Sequence, residues 1–393
     1  RLLKSDETGL DFENSLHPDK NKNIFSYMYF YNGGGIGAGD LNNDGLVDVC
    51  FTSNLGENKI FLNRGKLKFE DVTAKSQFSI GKQWSNGVSI VDVNQDGMLD
   101  IYVIQASGFD FLKGKNLLYI CKSISKEGIP VYEEEAAAYG LDISALGTQA
   151  AFFDQDLDGD LDCFLLNHSV HQNGTFGFRS NFQGKFHPLA GDRYFENVDQ
   201  KFIDRTKTSG IISDVLGYGL GVAVSDINLD GYPDMYIGND FHENDYLYIN
   251  NKKGGFSEDL EKSMMHTSQF SMGIDIADIN QDAYPEIISL DMLPSDRQIL
   301  KRSEGEDSYN IFQYKLRQGY NHQFARNNLQ LHRGASGKFS EIGLMANVFA
   351  TDWSWTPLFF DFNNDGFRDL FISNGIPKRM NDIDYIQFVS NES

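Results

Sequence analysis

The chain lacks several features that define large classes of protein. None of its apolar runs approaches the roughly 18 residues that a membrane-spanning helix needs. Lysine and arginine together number 34, against 56 aspartate and glutamate residues, so the net charge is −22. Such an acidic chain is a poor partner for a nucleic-acid backbone or an anionic membrane surface. The composition therefore excludes nucleic acid as a partner and membrane-spanning segments, and it favours cations as ligands.

Cysteine is also scarce. The three cysteines, Cys50, Cys121 and Cys163, are too few for a disulfide framework. Cys50 and Cys163 lie in apolar, strand-like runs, which predicts buried free thiols rather than reactive ones. No signal peptide precedes the sequence that begins at Arg1, so we expect a processed or trimmed fragment of a longer protein.

A nine-residue acidic motif, D-x-[DN]-x-D-[GA]-x-x-[DE], occurs six times in the chain. Its copies are "DLNNDGLVD", "DVNQDGMLD", "DQDLDGDLD", "DINLDGYPD", "DINQDAYPE" and "DFNNDGFRD", which begin at Asp40, Asp92, Asp154, Asp226, Asp278 and Asp361. The starting points lie 52 to 83 residues apart. A fixed unit of this length, repeated with variable insertions, is typical of a repeat architecture.

Strand patterns surround every copy of the motif. Small and β-favouring residues precede it, as in "GVSIV" and "GVAVS", and an apolar strand pattern follows it, as in "LDIYVIQ" and "PDMYIGN". Most units continue with two further strands joined by a Gly-rich or polar turn, such as "NKIFLNRG" and "KFEDVTA". Each unit is therefore predicted to be a four-stranded antiparallel meander, whose strands we label A to D.

Radial repetition of such meanders makes a β-propeller, whereas a β-solenoid uses shorter coils with one or two strands each. We predict an all-β fold with one β-propeller domain over residues 1–393, truncated at its C-terminal end. Six blades are recognisable and seven are expected in the closed ring. The sixth unit shows no strands C and D, and "TGLDFENSL" near the start is interpreted as an outer strand that closes the ring. A seventh blade would come from residues 291–327 or from sequence outside the chain.

The motif has the composition of a calcium loop. A hard dication takes six to eight oxygen ligands, and side chains at positions 1, 3, 5 and 9 with the carbonyl of position 7 can supply them. Zinc prefers imidazole and thiolate. Glycine at position 6 permits the sharp reversal of the loop. Acidic turns without metal are the alternative, but turn propensity alone does not require a carboxylate at position 9, inside the next strand.

The predicted ligands follow from these positions. They are Asp40, Asn42, Asp44, Leu46, Asp48; Asp92, Asn94, Asp96, Met98, Asp100; Asp154, Asp156, Asp158, Asp160, Asp162; Asp226, Asn228, Asp230, Tyr232, Asp234; Asp278, Asn280, Asp282, Tyr284, Glu286; and Asp361, Asn363, Asp365, Phe367, Asp369. The fifth loop has Ala283 at position 6 and Glu286 at position 9, so its site is expected to be the weakest. We predict about five to six calcium ions that stabilise the fold.

These loops resemble the calcium loops of the FG-GAP or VCBS repeat family, a propeller family that includes the integrin α-subunit head. They do not resemble EF-hands, because position 9 runs directly into a strand and no flanking helices are apparent. "NDFHENDYLYIN", "ATDWSW" and "DLFISNGIPKRMNDIDY" are further similar to the large VCBS-repeat proteins of gram-negative bacteria, often with an ASPIC/UnbV module. That resemblance implies an exported protein of the cell surface, outer membrane or periplasm, lipid-anchored through a segment that this chain does not contain.

Two long insertions, at about 167–193 and 291–327, both fall between strands B and C, at the end of the blade opposite the acidic loops. Long loops on a rigid scaffold often carry function. The residues that we assign to a ligand-binding face there are Trp84, His171, Arg179, His242, Tyr314, Trp353 and Trp355, the tryptophans lying in connections from strand D to strand A. The alternative is that the aromatics of these insertions form a small satellite core.

We therefore expect a calcium-binding surface propeller that acts as a non-catalytic binding or scaffold module for a protein or glycan partner. One alternative is a propeller-based polysaccharide lyase or hydrolase, with His242 and Glu243 or His168 and His171 as an acid–base pair. No nucleophile motif, zinc-protease motif or phosphate loop supports that alternative. A second alternative is a structural subunit of an outer-membrane complex.

Overall fold

The strands form sheets of the predicted kind. A computed structural model describes residues 2–78, 83–109, 111–171, 177–303 and 307–391. The chain forms two compact units: Arg1–Asn167 with Pro188–Arg205, and His168–His187 with Thr206–Ser393. No helix among these described residues is both long enough and apolar enough to cross a membrane.

The first unit contains three sheets, each of four antiparallel strands in the order A–B–C–D. A short helix α1 (Ser5–Thr8) precedes them, and α2 (Ala136–Tyr139) links the second sheet to the third. Sheet 1 contains β1 (Ile36–Gly39), β2 (Asp48–Phe51), β3 (Lys59–Asn63) and β4 (Phe69–Asp71); sheet 2 contains β5 (Ser85–Val91), β6 (Asp100–Gln105), β7 (Leu117–Ile124) and β8 (Pro130–Glu134); sheet 3 contains β9 (Gly147–Phe153), β10 (Asp162–Asn167), β11 (Arg193–Val198) and β12 (Lys201–Asp204).

Within its described residues, the second unit contains two complete four-stranded sheets and two sheets of two strands. Sheet 4 contains β13 (Gly219–Ser225), β14 (Asp234–Asn239), β15 (Tyr246–Asn250) and β16 (Phe256–Glu258); sheet 5 contains β18 (Ile274–Ala277), β19 (Glu286–Ser289), β21 (Asn328–His332) and β22 (Phe339–Glu341); sheet 6 contains β23 (Ser354–Phe360) and β24 (Asp369–Asn374). The helices are α3 (Leu260–Ser263), α4 (Arg297–Leu300), α5 (Tyr309–Gln318) and α6 (Ile383–Asn391), and β17 (Thr267–Ser268) pairs in parallel with β20 (Gln323–Phe324).

The all-β prediction, with four-stranded antiparallel sheets that each begin around an acidic motif, is confirmed. Strand B is buried along its whole length in sheets 2 to 5, and all six residues of β6 and all six of β10 are buried. This explains why "IYVI" and "CFLL" are continuous apolar runs rather than alternating ones. Cys50, Cys121 and Cys163 are free and buried, as predicted.

Glycine at the start of strand A lets neighbouring sheets approach each other. A Cβ atom added to Gly87, in β5, would lie 2.5 Å from the carbonyl oxygen of Thr148 in β9. In the second unit, a Cβ atom on Gly273, which precedes β18, would lie 1.9 Å from the carbonyl oxygen of Trp355 in β23. The inner strands of successive sheets therefore lie side by side within each unit, as strands A of propeller blades do.

The core lies between the faces of successive sheets. In the first unit, Cys50 and Ile60 of sheet 1 pack with Ile101 and Tyr119 of sheet 2, and a second cluster joins sheets 2 and 3. In the second unit, equivalent clusters join sheet 4 to sheet 5 and sheet 5 to sheet 6. Each blade is thus stabilised mainly by apolar contact with its neighbour.

Two expectations about the blades differ from the structure, and two others stay open. The segment "TGLDFENSL" is not an outer strand: it begins at the last residue of α1, Gly9 ends that helix with a φ of 82°, and residues 9–16 lie in no strand. Residues 291–327 do not form a blade, because their described part contains α4, α5 and only the two-residue strand β20. The number of blades in a closed ring and the single-domain interpretation stay predictions.

Candidate metal sites and the loop-rich ends

The six acidic loops, residues 40–48, 92–100, 154–162, 226–234, 278–286 and 361–369, share one conformation. Position 4 has a positive φ in every loop, from 57° at Asn43 to 63° at Leu157, and position 6 has one between 74° and 100°. The first aspartate shapes the turn: in the fourth loop the N–H groups of Asp230 and Gly231 donate to its two carboxylate oxygens, over 2.9 and 2.8 Å.

Positions 3 and 5 complete the inside of each loop. In the fourth loop Asn228 Oδ1 accepts the Asp230 N–H at 2.9 Å, and Asp230 Oδ1 accepts the Tyr232 N–H at 3.1 Å. The same two bonds recur in the other five loops. The side chains at positions 1, 3 and 5 are therefore held by local backbone donors, with further oxygen lone pairs available to a ligand.

The third loop is the most acidic. One carboxylate oxygen from each of Asp154, Asp156 and Asp158 lies within 4.8 Å of the other two. Burial, followed by the charge of Asp158, raises the pKa of Asp156, and the same causes raise the pKa of Asp160 to about 6. A donor set made only of oxygen, under mutual repulsion, fits a hard dication such as calcium.

The carboxylate at position 9 has a second role that its spacing did not reveal. Asp100 is fully buried; one of its oxygens accepts the Val93 N–H at position 2, at 3.1 Å, and the other accepts the Cys121 N–H of strand C, at 2.8 Å. Asp48, Asp162 and Asp234 make the equivalent pair of bonds. Position 9 therefore fastens the loop to strand C, and its predicted calcium ligation stays a prediction.

Burial dominates the electrostatics of position 9. It raises the pKa of Asp48, Asp162 and Asp234 to about 6 and that of Asp100 to about 7, although the N–H donors work in the opposite direction. A bound cation near these carboxylates would favour their charged forms.

The fifth loop keeps the turn despite its two departures from the motif. Ala283 adopts a φ of 74°, a conformation that disfavours residues with a Cβ atom. The longer Glu286 still accepts the position-2 N–H, from Ile279 at 3.0 Å, and it also accepts a bond from Asn280 Nδ2 at 3.3 Å. Asn280 thus bonds the position-9 side chain, and the weaker calcium site expected in this loop stays a prediction.

Side chains at position 4 connect neighbouring loops within each unit. Asn43 Nδ2 donates to the carbonyl of Gly97 in the second loop at 3.0 Å, and Gln95 Nε2 donates to the carbonyl of Gly159 in the third at 2.6 Å. In the second unit Gln281 Nε2 donates to the carbonyl of Gly366 at 2.8 Å. The motif does not specify the residue at position 4. The only sequence signal for these bonds was therefore the recurrence of Asn or Gln at that position.

At the opposite end of each complete sheet, the Asn or Asp immediately before strand C accepts an N–H from the end of strand B. Asn116 Oδ1 accepts the Gln105 N–H at 2.9 Å, and Asp245 Oδ1 accepts the Asn239 N–H at 2.8 Å. Asn58, Asp192 and Asn327 make the same bond in sheets 1, 3 and 5. Strands B and C are thus bonded at both ends. At one end strand C donates an N–H to the position-9 carboxylate, and at the other strand B donates an N–H to the Asn or Asp before strand C. We call these two contacts together the B–C frame.

The two insertions lie between strands B and C, as predicted. The first lies between β10 and β11, and the second between β19 and β21. Residues 172–176 and 304–306, which include Phe176, lie outside the described residues. Residues 168–187 belong to the second unit.

An ion pair fixes the first insertion to the second unit. Arg179 Nη2 donates to Glu243 Oε1 at 2.6 Å and Arg179 Nε donates to Glu243 Oε2 at 3.0 Å, while Tyr246 Oη donates to Glu243 Oε1 at 2.9 Å. The Glu243 side chain is only 1% exposed. Arg179, predicted as a ligand-face residue, therefore has a structural contact.

The second insertion rests on the same short turn. Gln323 Nε2 donates to the carbonyl of Glu243 at 2.8 Å, and the Asn321 N–H donates to Asn244 Oδ1, also at 2.8 Å. Burial and then the charge of Lys315 lower the pKa of His242 to about 4, so this histidine is neutral at pH 7. The predicted acid–base pair of His242 and Glu243 is thus formed by one neutral, largely buried imidazole and one ion-paired carboxylate.

The remaining ligand-face predictions divide into buried and accessible residues. Trp84 is 2% exposed and packs against Tyr27 and Phe30, so the prediction that it belongs to an accessible face is wrong. No pattern in the N-terminal sequence predicted that this segment covers Trp84. Tyr314 is 38% exposed on α5, and His171 is half-buried against Phe182.

Trp353 and Trp355 are half-buried and stack on each other, with ring centroids 6.5 Å apart. Trp355 lies within β23 rather than in the connection before it, and its Nε1 donates to the carbonyl of Gly375 at 2.7 Å. Three aromatics of the two insertions that were not among the predicted ligand-face residues are also exposed: Phe178, Phe186 and Tyr309.

Comparison with known proteins gives distant likenesses. Cartilage acidic protein 1 of Xenopus tropicalis is 24% identical over 237 residues, which are 60% of this chain and 33% of that protein. The chain therefore spans about a third of the length of that relative.

Among solved structures, an Agrocybe aegerita lectin specific for non-reducing terminal N-acetylglucosamine matches with a TM-score of 0.48 and 14% identity, over 87% of this chain and 75% of its own. The biofilm matrix protein Bap1 of V. cholerae matches with a TM-score of 0.37 and 10% identity, over 79% and 39%. The exotype rhamnogalacturonan lyase YesX matches with a TM-score of 0.37 and 12% identity, over 89% and 57%. The fold assignment rests on the strand order and register of the sheets themselves.

A family model gives the most specific match. It describes the FG-GAP-like repeat, and it matches residues 40–103 and 226–289. Each matched segment begins at the first aspartate of an acidic loop and extends into the next repeat unit. The chain thus contains two segments similar to FG-GAP-like repeats, one in each compact unit.

Proposed function

We propose that the acidic loops bind calcium and that the protein is a calcium-stabilised, non-catalytic binding module. The observation that carries the calcium proposal is the convergence of Asp154, Asp156 and Asp158, with one oxygen from each within 4.8 Å of the others. The same turn, with oxygen side chains at positions 1, 3 and 5, recurs in all six loops.

Calcium would link the ends of each loop. The residues that would hold it are those at positions 1, 3 and 5, with the position-7 carbonyl and the position-9 carboxylate as the other predicted oxygens. When bound, the ion supplies positive charge that offsets the repulsion among these carboxylates. Because a preformed site is absent from the unfolded chain, calcium binding should add to the free energy of unfolding.

Thermal unfolding with calcium, with magnesium and with a chelator tests this proposal. We expect calcium to raise the Tm more than magnesium does, since magnesium requires a stricter octahedral geometry. Native mass spectrometry should count about five to six calcium ions per chain, as the number of loops implies. An unchanged Tm after chelation, together with no bound calcium, would contradict the proposal.

One loop can be tested against a matched control. Asp158→Ala should remove one calcium ion from the native mass spectrum and lower the calcium-dependent rise in Tm. Glu133→Ala changes an exposed carboxylate in strand β8, outside every acidic loop, and should leave both measurements unchanged. An equal loss of calcium in the two variants would indicate a nonspecific effect of net charge.

We further propose that a protein or carbohydrate partner binds the insertions. Exposed aromatics support this: Phe178 is 54% exposed, Phe186 65% and Tyr309 76%. Large exposed aromatic side chains are typical of recognition surfaces. The ion pair between Arg179 and Glu243 supports a non-catalytic role, because it occupies the carboxylate that the enzymatic alternative would use as an acid or base.

A binding screen with matched aromatic variants tests the partner proposal. The intact chain is used to capture partners from a native membrane extract and is applied in parallel to a glycan array. Tyr309→Ala combined with Phe178→Ala should weaken the binding found. Phe25→Ala, which removes an aromatic that is 66% exposed in the first unit, should not. Equal binding by all three proteins would contradict the placement of the site.

We also propose that the protein is exported to the cell surface, outer membrane or periplasm. Extracellular calcium modules function with dissociation constants of about 10⁻⁴ to 10⁻³ M, so an exported protein meets enough calcium to fill moderate sites. Fractionation of the producing cells, followed by immunoblotting, checks this location. Recovery in the cytosolic fraction alone would contradict it.

A further inference from the structure

The two insertions differ from the rest of the chain in charge. Residues 168–187 contain Arg179 and Lys185 and no acidic residue, and residues 291–327 contain six Lys or Arg and five Asp or Glu. The insertions therefore carry a net charge of +3, and the rest of the chain, which totals −22, carries −25. Both insertions belong to the second compact unit, so the positive charge is concentrated in one part of the molecule.

The described acidic residues of the second insertion are engaged by the protein itself. Asp291 is fully buried and accepts backbone N–H groups. Asp296 accepts two N–H groups at the start of α4, and Asp307 pairs with the buried Lys315. The other two acidic residues fall within residues 304–306, outside the described residues. Each described carboxylate of this insertion thus has a partner within the chain.

The cations of the insertions divide into paired and unpaired groups. Arg179 is held by Glu243, and Arg302 is held by Asp382. Within the described residues, no carboxylate forms an ion pair with four exposed cations of the insertions: Lys185, Arg297, Lys301 and Arg317. The exposed charge on the described part of the insertions is therefore mainly positive.

Helix α5 presents one of these cations together with an aromatic ring. Lys315 and Gln318 face the body of the unit and are 3% and 8% exposed. Asn310, Tyr314 and Arg317 are exposed, and they share one helix face because residues three and four positions apart are neighbours on a helix. Tyr314 and Arg317 therefore lie on the same outward surface.

The first insertion repeats this combination of aromatic and cationic side chains. Phe178, Lys185 and Phe186 are all exposed. The insertion reaches α5, since a Cβ atom on Gly319, the residue that ends that helix, would lie 3.6 Å from the Cβ atom of Arg179. The two insertions are therefore in contact, and their exposed groups belong to one surface.

The acidic loops lie too far away to cancel this positive charge. Strand β14 separates the fourth acidic loop from the turn at 240–244 and has six residues, so the two ends of the strand lie about 20 Å apart. The Debye length is about 8 Å at physiological ionic strength. A charged ligand at the insertions therefore responds mainly to the charges beside it.

The mixture of groups indicates the chemistry of a ligand. Aromatic side chains offer flat apolar surfaces, which match the C–H faces of sugar rings. Guanidinium groups bind carboxylates through two parallel hydrogen bonds. A neutral glycan would use the aromatic groups alone, whereas a polysaccharide with uronate residues uses both kinds of group.

We propose that the insertions bind an anionic polysaccharide whose repeating units carry carboxylates. Its sugar rings pack on Phe178, Phe186 and Tyr314, and its carboxylates pair with Lys185 and Arg317. Because carboxylates recur along such a chain, several individually weak ion pairs act together. This inference rests on the proposed function of the insertions as a partner-binding surface, and it adds the chemical class of the partner.

Paired glycans test the class of ligand on the intact protein. The probes are a hyaluronan decasaccharide and a hexagalacturonate, each compared with the same oligosaccharide after reduction of its carboxylates to alcohols. Calorimetric titration in calcium-containing buffer should show saturable binding of at least one acidic probe, weakened by added salt. Its reduced form should bind about tenfold more weakly. Equal binding of acidic and reduced forms, or no binding of either acidic probe, overturns the proposal.

Matched charge variants locate the site. Arg317→Gln combined with Lys185→Gln should weaken binding of the acidic probe about tenfold, since one exposed ion pair contributes up to about fivefold. Arg317→Lys keeps the charge and should retain most of the affinity. Lys253→Gln removes an exposed cation between β15 and β16, at the acidic-loop end of sheet 4, and should leave binding unchanged. Equal losses in the Lys253 variant and the double variant would overturn the proposal.

The proposed function and this inference can fail separately. Capture of a protein or a neutral glycan that depends on Phe178 and Tyr309, without binding of either acidic probe, would keep the partner-binding surface and overturn the anionic class. Absence of any partner at the insertions, in the membrane extract, on the glycan array and in the titrations, would overturn both.

Discussion

The two ends of a complete sheet achieve order by different means. At the acidic-loop end, each turn is shaped by side chains that bond backbone groups two to five residues away, such as Asp226 with Asp230 and Gly231. At the B-to-C end, the recurring contact of the B–C frame is joined by pairs that are distant in sequence: Arg179 and Glu243 are 64 residues apart. Local turns can recur unchanged from blade to blade, whereas distant pairs are specific to one blade. The repeated end therefore suits a structural ion, and the variable end suits recognition.

The largest effect should follow from breaking the distant pair. Glu243→Ala leaves the Arg179 guanidinium buried without its carboxylate, so we expect the free energy of unfolding to fall by about 3–5 kcal/mol. Hydrogen exchange should rise in residues 177–187 and 320–323, which rest on this turn. Replacing the pair by Arg179→Met with Glu243→Leu should recover most of the loss. If both proteins lose stability equally, the ion pair is not the cause.

At the acidic-loop end, positions 1 and 9 of one loop should separate into two roles. Asp100→Ala leaves the Val93 and Cys121 N–H groups without an acceptor and should already cost about 2–4 kcal/mol in chelator. Asp92→Ala affects a more exposed turn and should cost about 1 kcal/mol in chelator, with a further loss in calcium. Urea unfolding under both conditions measures the four values. Equal costs of the two variants in chelator would remove the distinction.

The pH dependence of the calcium-free protein should report the buried position-9 carboxylates. Burial raises the pKa of Asp48, Asp162 and Asp234 to about 6 and that of Asp100 to about 7 in the folded chain. A raised pKa means that the folded chain holds protons that the unfolded chain releases, so this stability is full below about pH 4 and is lost as the pH rises through 6 to 7.

We therefore expect the Tm in chelator to fall between pH 5 and pH 8. The buried, neutral His168 and His242, whose pKa burial lowers to about 4, act in the opposite sense below pH 6.5. Calcium should flatten the profile above pH 6, because it favours the charged carboxylates. A Tm in chelator that rises from pH 6.5 to pH 8 would contradict this account of position 9.

The smallest effect concerns position 6 of the loops. Ala283 has a φ of 74° where the fourth loop has Gly231 with a φ of 90°. Ala283→Gly should stabilise the fold by about 0.5 kcal/mol, after allowance for the greater freedom of glycine in the unfolded chain. Gly231→Ala should destabilise it by about 1 kcal/mol. Urea unfolding in calcium measures both, and effects of the same sign would show that backbone strain does not distinguish the loops.

The features that depend on local sequence patterns were predicted from the sequence. The six acidic motifs predicted the turns, and the apolar runs after them predicted the buried strands B, because both follow from residues within about ten positions. The B-to-C placement of the insertions followed from the same spacing. The sequence predicted Asp100 as a loop residue but did not predict that it accepts the Cys121 N–H, because that bond requires the pairing of β6 with β7.

Features that depend on tertiary packing were not predicted. Trp84 was assigned to an accessible face, but Tyr27 and Phe30 cover it, and their sequence neighbourhood has no strand or helix pattern. "TGLDFENSL" alternates in a way that suggests a strand, yet Gly9 takes a positive φ and lies against the Phe69 carbonyl of β4. The Asn and Asp residues that hold strand B were present in the sequence, but polar residues at a strand start are common for other reasons.

The B–C frame keeps the same geometry between strands B and C whatever the length of the connection between them. In sheet 4 the frame residues Asn239 and Asp245 are six positions apart, and in sheet 5 Asp291 and Asn327 are 36 apart, with the same bond at 2.7 to 2.8 Å. Closing the longer loop costs only about 2 kcal/mol more by polymer theory. An inserted peptide or domain is thus compatible with a blade wherever the connection between the two frame residues carries no other contact, which excludes the turn at 240–244, because Glu243 pairs there with Arg179.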